Sequence, residues 1–95
     1  MAFAIVARHY PRPEHRQELI KRIQAAGAVM ESVPGCFGTE CWVEADGLAV
    51  VSIGRWDSEE SCKRSFVAVA EADVDFEADE REERPREVLR LTSAS

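Results

Sequence analysis

The chain has 95 residues, 45% of them hydrophobic, and a formal net charge of −6. A chain of this length buries about two-thirds of its unfolded surface, so residues 1–95 are expected to form one domain, and the hydrophobic content excludes a disordered polymer. The charge is local: Glu71, Asp73, Asp75, Glu77, Asp79, Glu80, Glu82 and Glu83 face only Arg81 and Arg84 within residues 71–84, and acids and bases balance elsewhere.

With no basic face to displace counterions or meet anionic lipid, binding to nucleic acid or to a membrane surface is not expected. The acidic stretch reads as a solvated loop or short helix rather than a metal site. Cys36, Cys41 and Cys62 are odd in number and include no CxxC pair, and neither His9 nor His15 stands at a zinc-like spacing from them. No disulfide framework and no metal centre is implied. The apolar run Ala2–Ala7 is too short for a signal-peptide core or a membrane span, which predicts a cytoplasmic protein with reduced thiols.

In chain order, Ala2 to Ala7 reads as a strand covered on both faces, and Pro11 and Pro13 are expected to end its ladder. From Glu14 to Ser32 the period becomes helical, with Leu19, Ile23, Ala26, Met30 and Val33 on one stripe. Pro34 and Gly35 stop this helix. Thr39 to Glu44 alternates, with Cys41 and Val43 opposite Glu40, Trp42 and Glu44, as a half-wet outer strand does. Asp46-Gly47 is a hairpin signal. Leu48 to Ile53 is almost unbroken apolar and reads as a strand buried on both faces. A second helix follows, with Asp57 as the expected N-cap, Glu60 as its capping-box partner, and Cys62, Phe66 and Val69 on its inner stripe. Pro85 ends the acidic stretch, and Arg86 to Thr92 reads as the last strand.

The order βαββαβ predicts an α+β, ferredoxin-like fold: a four-stranded antiparallel sheet with two helices on one face. Two helices cover one face only. The strand period of two puts Leu48, Val50, Ser52, Gly54 and Trp56 on one side, and Ala49, Val51, Ile53 and Arg55 on the other. The first, mixed side is assigned to the helices, with a pocket between Ser52, Trp56, Cys62 and Phe66 and with Val50 in its wall; the alternative is that Trp56 simply plugs the core. Ala49, Val51 and Ile53 are assigned to a homodimer contact, sheet against sheet. No Walker loop or GxSxG is present. His9 and His15 flank the proline turn and read as turn or surface residues rather than as a base or ligand.

Three runs together, Val33-Pro34-Gly35-Cys36-Phe37-Gly38, Asp46-Gly47-Leu48-Ala49-Val50-Val51 and Arg55-Trp56-Asp57-Ser58-Glu59-Glu60, closely resemble the antibiotic biosynthesis monooxygenase (ABM) domains over roughly residues 3 to 66. The resemblance implies a dimeric α/β barrel and, for function, a monooxygenase that needs no metal, flavin or haem. Its substrate would be a small aromatic, an anthrone or a quinol-type compound, which supplies the electrons to dioxygen itself. Trp56 and Ser52 are then the catalytic candidates, with Val50, Cys62 and Phe66 in the substrate pocket. At the positions of Ser52 and Cys62 the anthrone oxygenases carry asparagine and tyrosine. Where this chain has Ser65 and Asp75, the haem-degrading branch carries tryptophan and histidine. A non-catalytic dimer that binds a hydrophobic metabolite on the same fold is the competing reading, and fold alone does not decide between them.

Overall fold

The computed structural model describes residues 1–75 and 79–94. Phe3–Pro11 form β1, Arg16–Glu31 α1, Cys36–Val43 β2, Val50–Trp56 β3, Glu59–Glu71 α2 and Glu82–Thr92 β4, and a single 3-10 turn, Pro13–His15, leads into α1. The strands lie in the order β2-β3-β1-β4, antiparallel at every neighbour. This is the ferredoxin-like α+β fold expected from the βαββαβ pattern.

The helical stripe does what its spacing requires. Leu19 and Ile23 of α1 close over Val50, while Ala26 and Met30 join Phe3, Trp56, Cys62 and Val69 in a second buried cluster. Fully burying one such large apolar side chain contributes about 1.5–3 kcal/mol, so a handful of them carries a domain of this size. The turn after α1 is locked to the start of α2. Gly35 has φ of +96°, and a Cβ there would come within 2.3 Å of the Ser61 hydroxyl oxygen, while its carbonyl accepts the Asp57 N–H at 2.8 Å.

Several boundaries differ from expectation, each for a physical reason. The first strand continues past Ala7 to Pro11, because β4 supplies its partners at Tyr10 and Pro11 through two register shifts. The last strand starts at Glu82 rather than Arg86 and contains Pro85. A proline is tolerated there because β4 is an edge strand with one row of amides unpaired in any case. Ser58, not Asp57, caps α2: its hydroxyl oxygen accepts the Ser61 N–H, and Asp57 turns instead to the hydroxyls of Ser58 and Ser61. Leu48 lies in the hairpin turn, 70% exposed, and not on the helix-facing side of β3.

Within the acidic segment, Arg81 gathers Glu18, Asp75 and Asp79 around one guanidinium. Glu77 lies outside the described residues.

The sheet face away from the helices carries an apolar band. Trp42 stands beside Val51, Ile53 beside Val6, Val6 beside Leu89, and Ala4 beside Leu91, all set in register across four strands. Trp42, Leu89 and Leu91 are exposed. Ala49, placed by alternation among the contacts of this face, is instead buried within the protomer just before β3 begins and has no area to offer a partner. Among the described residues, no helix is long and apolar enough to cross a membrane.

Candidate functional site

Between the sheet and the two helices lies a cavity of about 770 Å³, large enough for a ligand of several fused rings. Ile5, Ile23, Trp56, Phe66 and Val69 form its apolar wall, and Ser52, His9, Gln24, Thr39 and Arg86 supply the polar groups. Strand alternation explains the polar cluster. Phe3, Ile5, Ala7 and His9 share the helix-facing side of β1, and Ala7 is opposite Ser52 in the β1–β3 ladder, so His9 and Ser52 meet.

Of the residues proposed from sequence, Ser52, Trp56 and Phe66 line the cavity together. Val50 and Cys62 do not: Val50 is sealed under Leu19 and Ile23, and Cys62 lies on the Phe3 side of the core, beside a second, smaller hollow. Burial pushes the Cys62 thiol up to about 11, so it stays protonated at neutral pH and behaves as a small apolar group. Trp56 is buried, yet its ring forms part of the cavity wall. Its indole N–H donates to the Ser65 hydroxyl oxygen at 2.8 Å. Ser65 is itself fully buried, so that bond is intramolecular and fixes the ring. Phe66 stands 6.2 Å from Trp56, centroid to centroid, tilted by 37°.

His9 is the functional candidate that the sequence reading assigned to a turn. It is 0% exposed. Its Nε2 lies 3.1 Å from Ser52 Oγ, and its Nδ1 faces Glu82 Oε1 at 3.7 Å. Glu82 is buried too and holds Arg86 through Oε2 at 2.6 Å. Burial lowers the His9 pKa to about 4, the Arg86 cation works in the same direction, and Glu82 opposes both. At neutral pH the ring is therefore uncharged and keeps one lone pair. With Glu82 on the Nδ1 side, the N–H belongs on Nδ1, and Nε2 accepts the Ser52 hydroxyl proton. The signal for His9 was its parity with Phe3, Ile5 and Ala7, once the strand is carried past Ala7.

Among the described residues, no group of three or more His, Cys, Asp or Glu side chains is placed to hold a metal ion. The site is instead an apolar chamber with a neutral imidazole–hydroxyl pair in its wall.

A ligand-sized chamber under a ferredoxin-like sheet places the chain among small α+β proteins with an internal cavity. Residues 2–68 match the family model described as antibiotic biosynthesis monooxygenase, and the chain belongs to that family. No curated protein sequence matches significantly. Many solved structures share the fold, among them the following three. Rv0793 from Mycobacterium tuberculosis is 24% identical with a TM-score of 0.83, over 100% of this chain and 97% of that one. SnoaB, a cofactor-independent oxygenase from Streptomyces nogalater, is 16% identical with a TM-score of 0.73, over 99% of this chain and 94% of that one. A variant of MhuD with manganese protoporphyrin IX in its active site is 18% identical with a TM-score of 0.73, over 100% and 96%.

Proposed function

We propose that residues 1–95 work as one ABM domain, a cofactor-independent monooxygenase of a small aromatic substrate of the anthrone or quinol type. The observation that carries this reading is the cavity itself: a chamber of about 770 Å³ with an aromatic and aliphatic wall, and with Ser52 hydrogen-bonded to a neutral His9. An acidic phenol or anthrone lying against Trp56 gives its proton to Ser52 Oγ, as the Ser52 proton passes to His9 Nε2. The resulting carbanion is electron-rich enough to reduce dioxygen by one electron, and the radical pair joins to a peroxide anion, which takes the proton back from His9 through Ser52 to become the hydroperoxide. Loss of water from that peroxide leaves the new carbonyl. The substrate supplies all the electrons, and the protein supplies orientation, a dry wall and a proton acceptor.

MhuD is as similar to this chain as SnoaB is, so the family match alone does not choose a chemistry; the cofactor-independent SnoaB fits a reading without haem. So does the histidine inventory: His9 is occupied by Ser52 on one nitrogen and faces Glu82 on the other, and His15 does not line the cavity. A homodimer formed through Val51 and Ile53, with Trp42, Val6 and Leu89 beside them, belongs to the proposal. The second reading, a dimeric binder of hydrophobic metabolites without catalysis, is favoured by one observation. The Trp56 N–H is already bonded to Ser65, so the indole has no hydrogen bond to give a substrate oxygen.

Oxygen uptake with a panel of anthrones, naphthols and hydroquinones separates the two. Uptake that falls at least about tenfold in Ser52→Ala and in His9→Gln supports the oxygenase, in line with the usual contribution of a positioned acid–base group. Tight binding of the same compounds with no uptake points to the binder. A Soret band in the purified protein would overturn the cofactor-free reading.

A further inference from the structure

The geometry points to a second activity in the same cavity: Ser52, His9 and Glu82 form a serine nucleophile, its base and the base's orienting carboxylate, able to hydrolyse small aryl esters. The inference shares the cavity with the oxygenase reading but does not depend on it. Three strands each contribute one member, Ser52 from β3, His9 from β1 and Glu82 from β4.

The order of atoms is the one that nucleophilic catalysis needs. Ser52 Oγ lies 3.1 Å from Nε2, and the carboxylate stands on the opposite nitrogen, Nδ1. The same arrangement recurs on unrelated folds, recognised by roles and geometry rather than by sequence order. His9 Nδ1 and Glu82 Oε1 are both buried without a hydrogen bond and face each other at 3.7 Å. That is a contact one small side-chain adjustment from closing, and such bonds are often long in ligand-free enzymes. Burying an imidazole and a carboxylate that do not fully satisfy one another is costly, and a fold that needed only packing there would place apolar groups.

The step balances. Ser52 Oγ attacks the ester carbonyl and forms the C–O bond of an acyl-serine, while its proton passes to His9 Nε2. His9 returns that proton to the departing aryl oxygen as the ester C–O bond breaks. Water then attacks the acyl-serine with His9 again as base, and releases the carboxylic acid. No electrons are exchanged and dioxygen is not consumed. Arg86, in the same wall and paired with Glu82, places a positive charge beside the site where the oxyanion forms.

The test is run under nitrogen on the unaltered protein. A fluorophosphonate probe is expected to add once per chain, with peptide mapping placing it on Ser52, and 1-naphthyl acetate is expected to release naphthol. Ser52→Ala should lose both, and His9→Gln should slow both by at least about tenfold. Glu82→Gln tests the positioning role: the labelling rate should fall, and the pH at which it rises should move, because His9 is faced by Glu82 and Arg86 from β4, Ser52 from β3 and Arg22 from α1. A merely structural Glu82 would lower labelling only in step with the folded fraction and leave the rate per folded protein unchanged. Absence of an adduct on Ser52, or naphthol release that persists in Ser52→Ala, overturns the inference. Mapping on the unaltered chain stands even if a variant fails to fold. Oxygen uptake lost while labelling persists would sink the oxygenase reading alone, and the converse would sink this one alone.

Discussion

Gly54 makes room for Trp56. A Cβ built on Gly54 would stand 2.4 Å from Cη2 of the Trp56 ring and 2.9 Å from Cζ3. The two residues lie on the same side of β3, so the indole folds back along its own strand and its outer edge becomes cavity wall. The ring cannot swing clear at no cost, since Ser65 holds its N–H.

Gly54→Ala is therefore expected to destabilise the protein by about 1–3 kcal/mol, the usual range for forcing extra volume into a packed site. For a domain of this size each kcal/mol lowers the Tm by about 4–8 °C. The same substitution should move the Trp56 emission, best read in a Trp42→Phe background, because Trp42 is exposed and would otherwise dominate the signal. An unchanged Tm and spectrum would show that the ring has another place to go.

The Trp56–Ser65 bond gives a second prediction. Ser65→Ala leaves a buried N–H without its partner and should cost about 1–3 kcal/mol, whereas Trp56→Phe removes the donor and leaves a void as well. Because each single change strands part of the same interaction, the double variant should lose less than the two singles added together. Urea melts of the four proteins measure this coupling. Strict additivity would mean that the bond contributes nothing.

How far the sequence carries differs between fold and site, and the reason is separation along the chain. The helices and the core of each strand follow from local periodicity: Leu19, Ile23, Ala26 and Met30 are buried as their spacing demands, and the apolar run through Val51 and Ile53 does lie in a sheet. Strand ends are set by partners instead. β1 reaches Pro11 because β4 pairs with it there, and no feature near Tyr10 announces that partner. The polar half of the site suffers the same way. His9 between two prolines looks like a turn residue until Ser52 and Glu82, from distant strands, are brought to either side of its ring. Ser52 and Trp56, by contrast, share one strand, and alternation alone put them on one face. The fate of the Trp56 N–H was illegible for a different reason: only the rotamer decides that it meets Ser65.

His9 also sets a pH dependence. Its folded pKa is lowered to about 4 from an ordinary value near 6.5, so the unfolded chain binds the extra proton first as pH falls. The stability that comes from keeping the ring neutral is complete above about pH 6.5, and it is lost progressively down to about pH 4. A shift of that size corresponds to at most about 3 kcal/mol. Asp57 and Glu87, whose carboxyls are held below their ordinary values by hydroxyl hydrogen bonds, add losses of the same sign that set in at the acid end of this window and continue below it. Denaturant melts at pH 7, 5.5 and 4.5 should show the native protein weakening across this window while His9→Gln stays nearly flat. Parallel curves for the two proteins would place the titration elsewhere.

The apolar band on the open sheet face leads to the last prediction. Ile53 sits at its centre, paired across the ladders with Val6 on one side and Glu40 on the other, while Leu89 and Leu91 remain largely exposed on the edge strand. A twofold pairing of these faces covers every such side chain twice, once in each protomer. The 10.6 kDa chain should then run at twice that mass by light scattering at micromolar concentration. Burial of one Ile stabilises by about 1.5–3 kcal/mol, so Ile53→Asp removes that amount at two symmetric places and adds two buried charges. A loss of about 4 kcal/mol weakens association roughly a thousandfold, enough to leave monomers at the same concentration. Glu40, beside Ile53, makes an exposed ion pair with Arg55 and accepts the Trp42 indole N–H at 3.0 Å; glutamine keeps that acceptor, so Glu40→Gln should leave the mass unchanged. If the native chain already runs at 10.6 kDa, the band is covered by something other than a second copy.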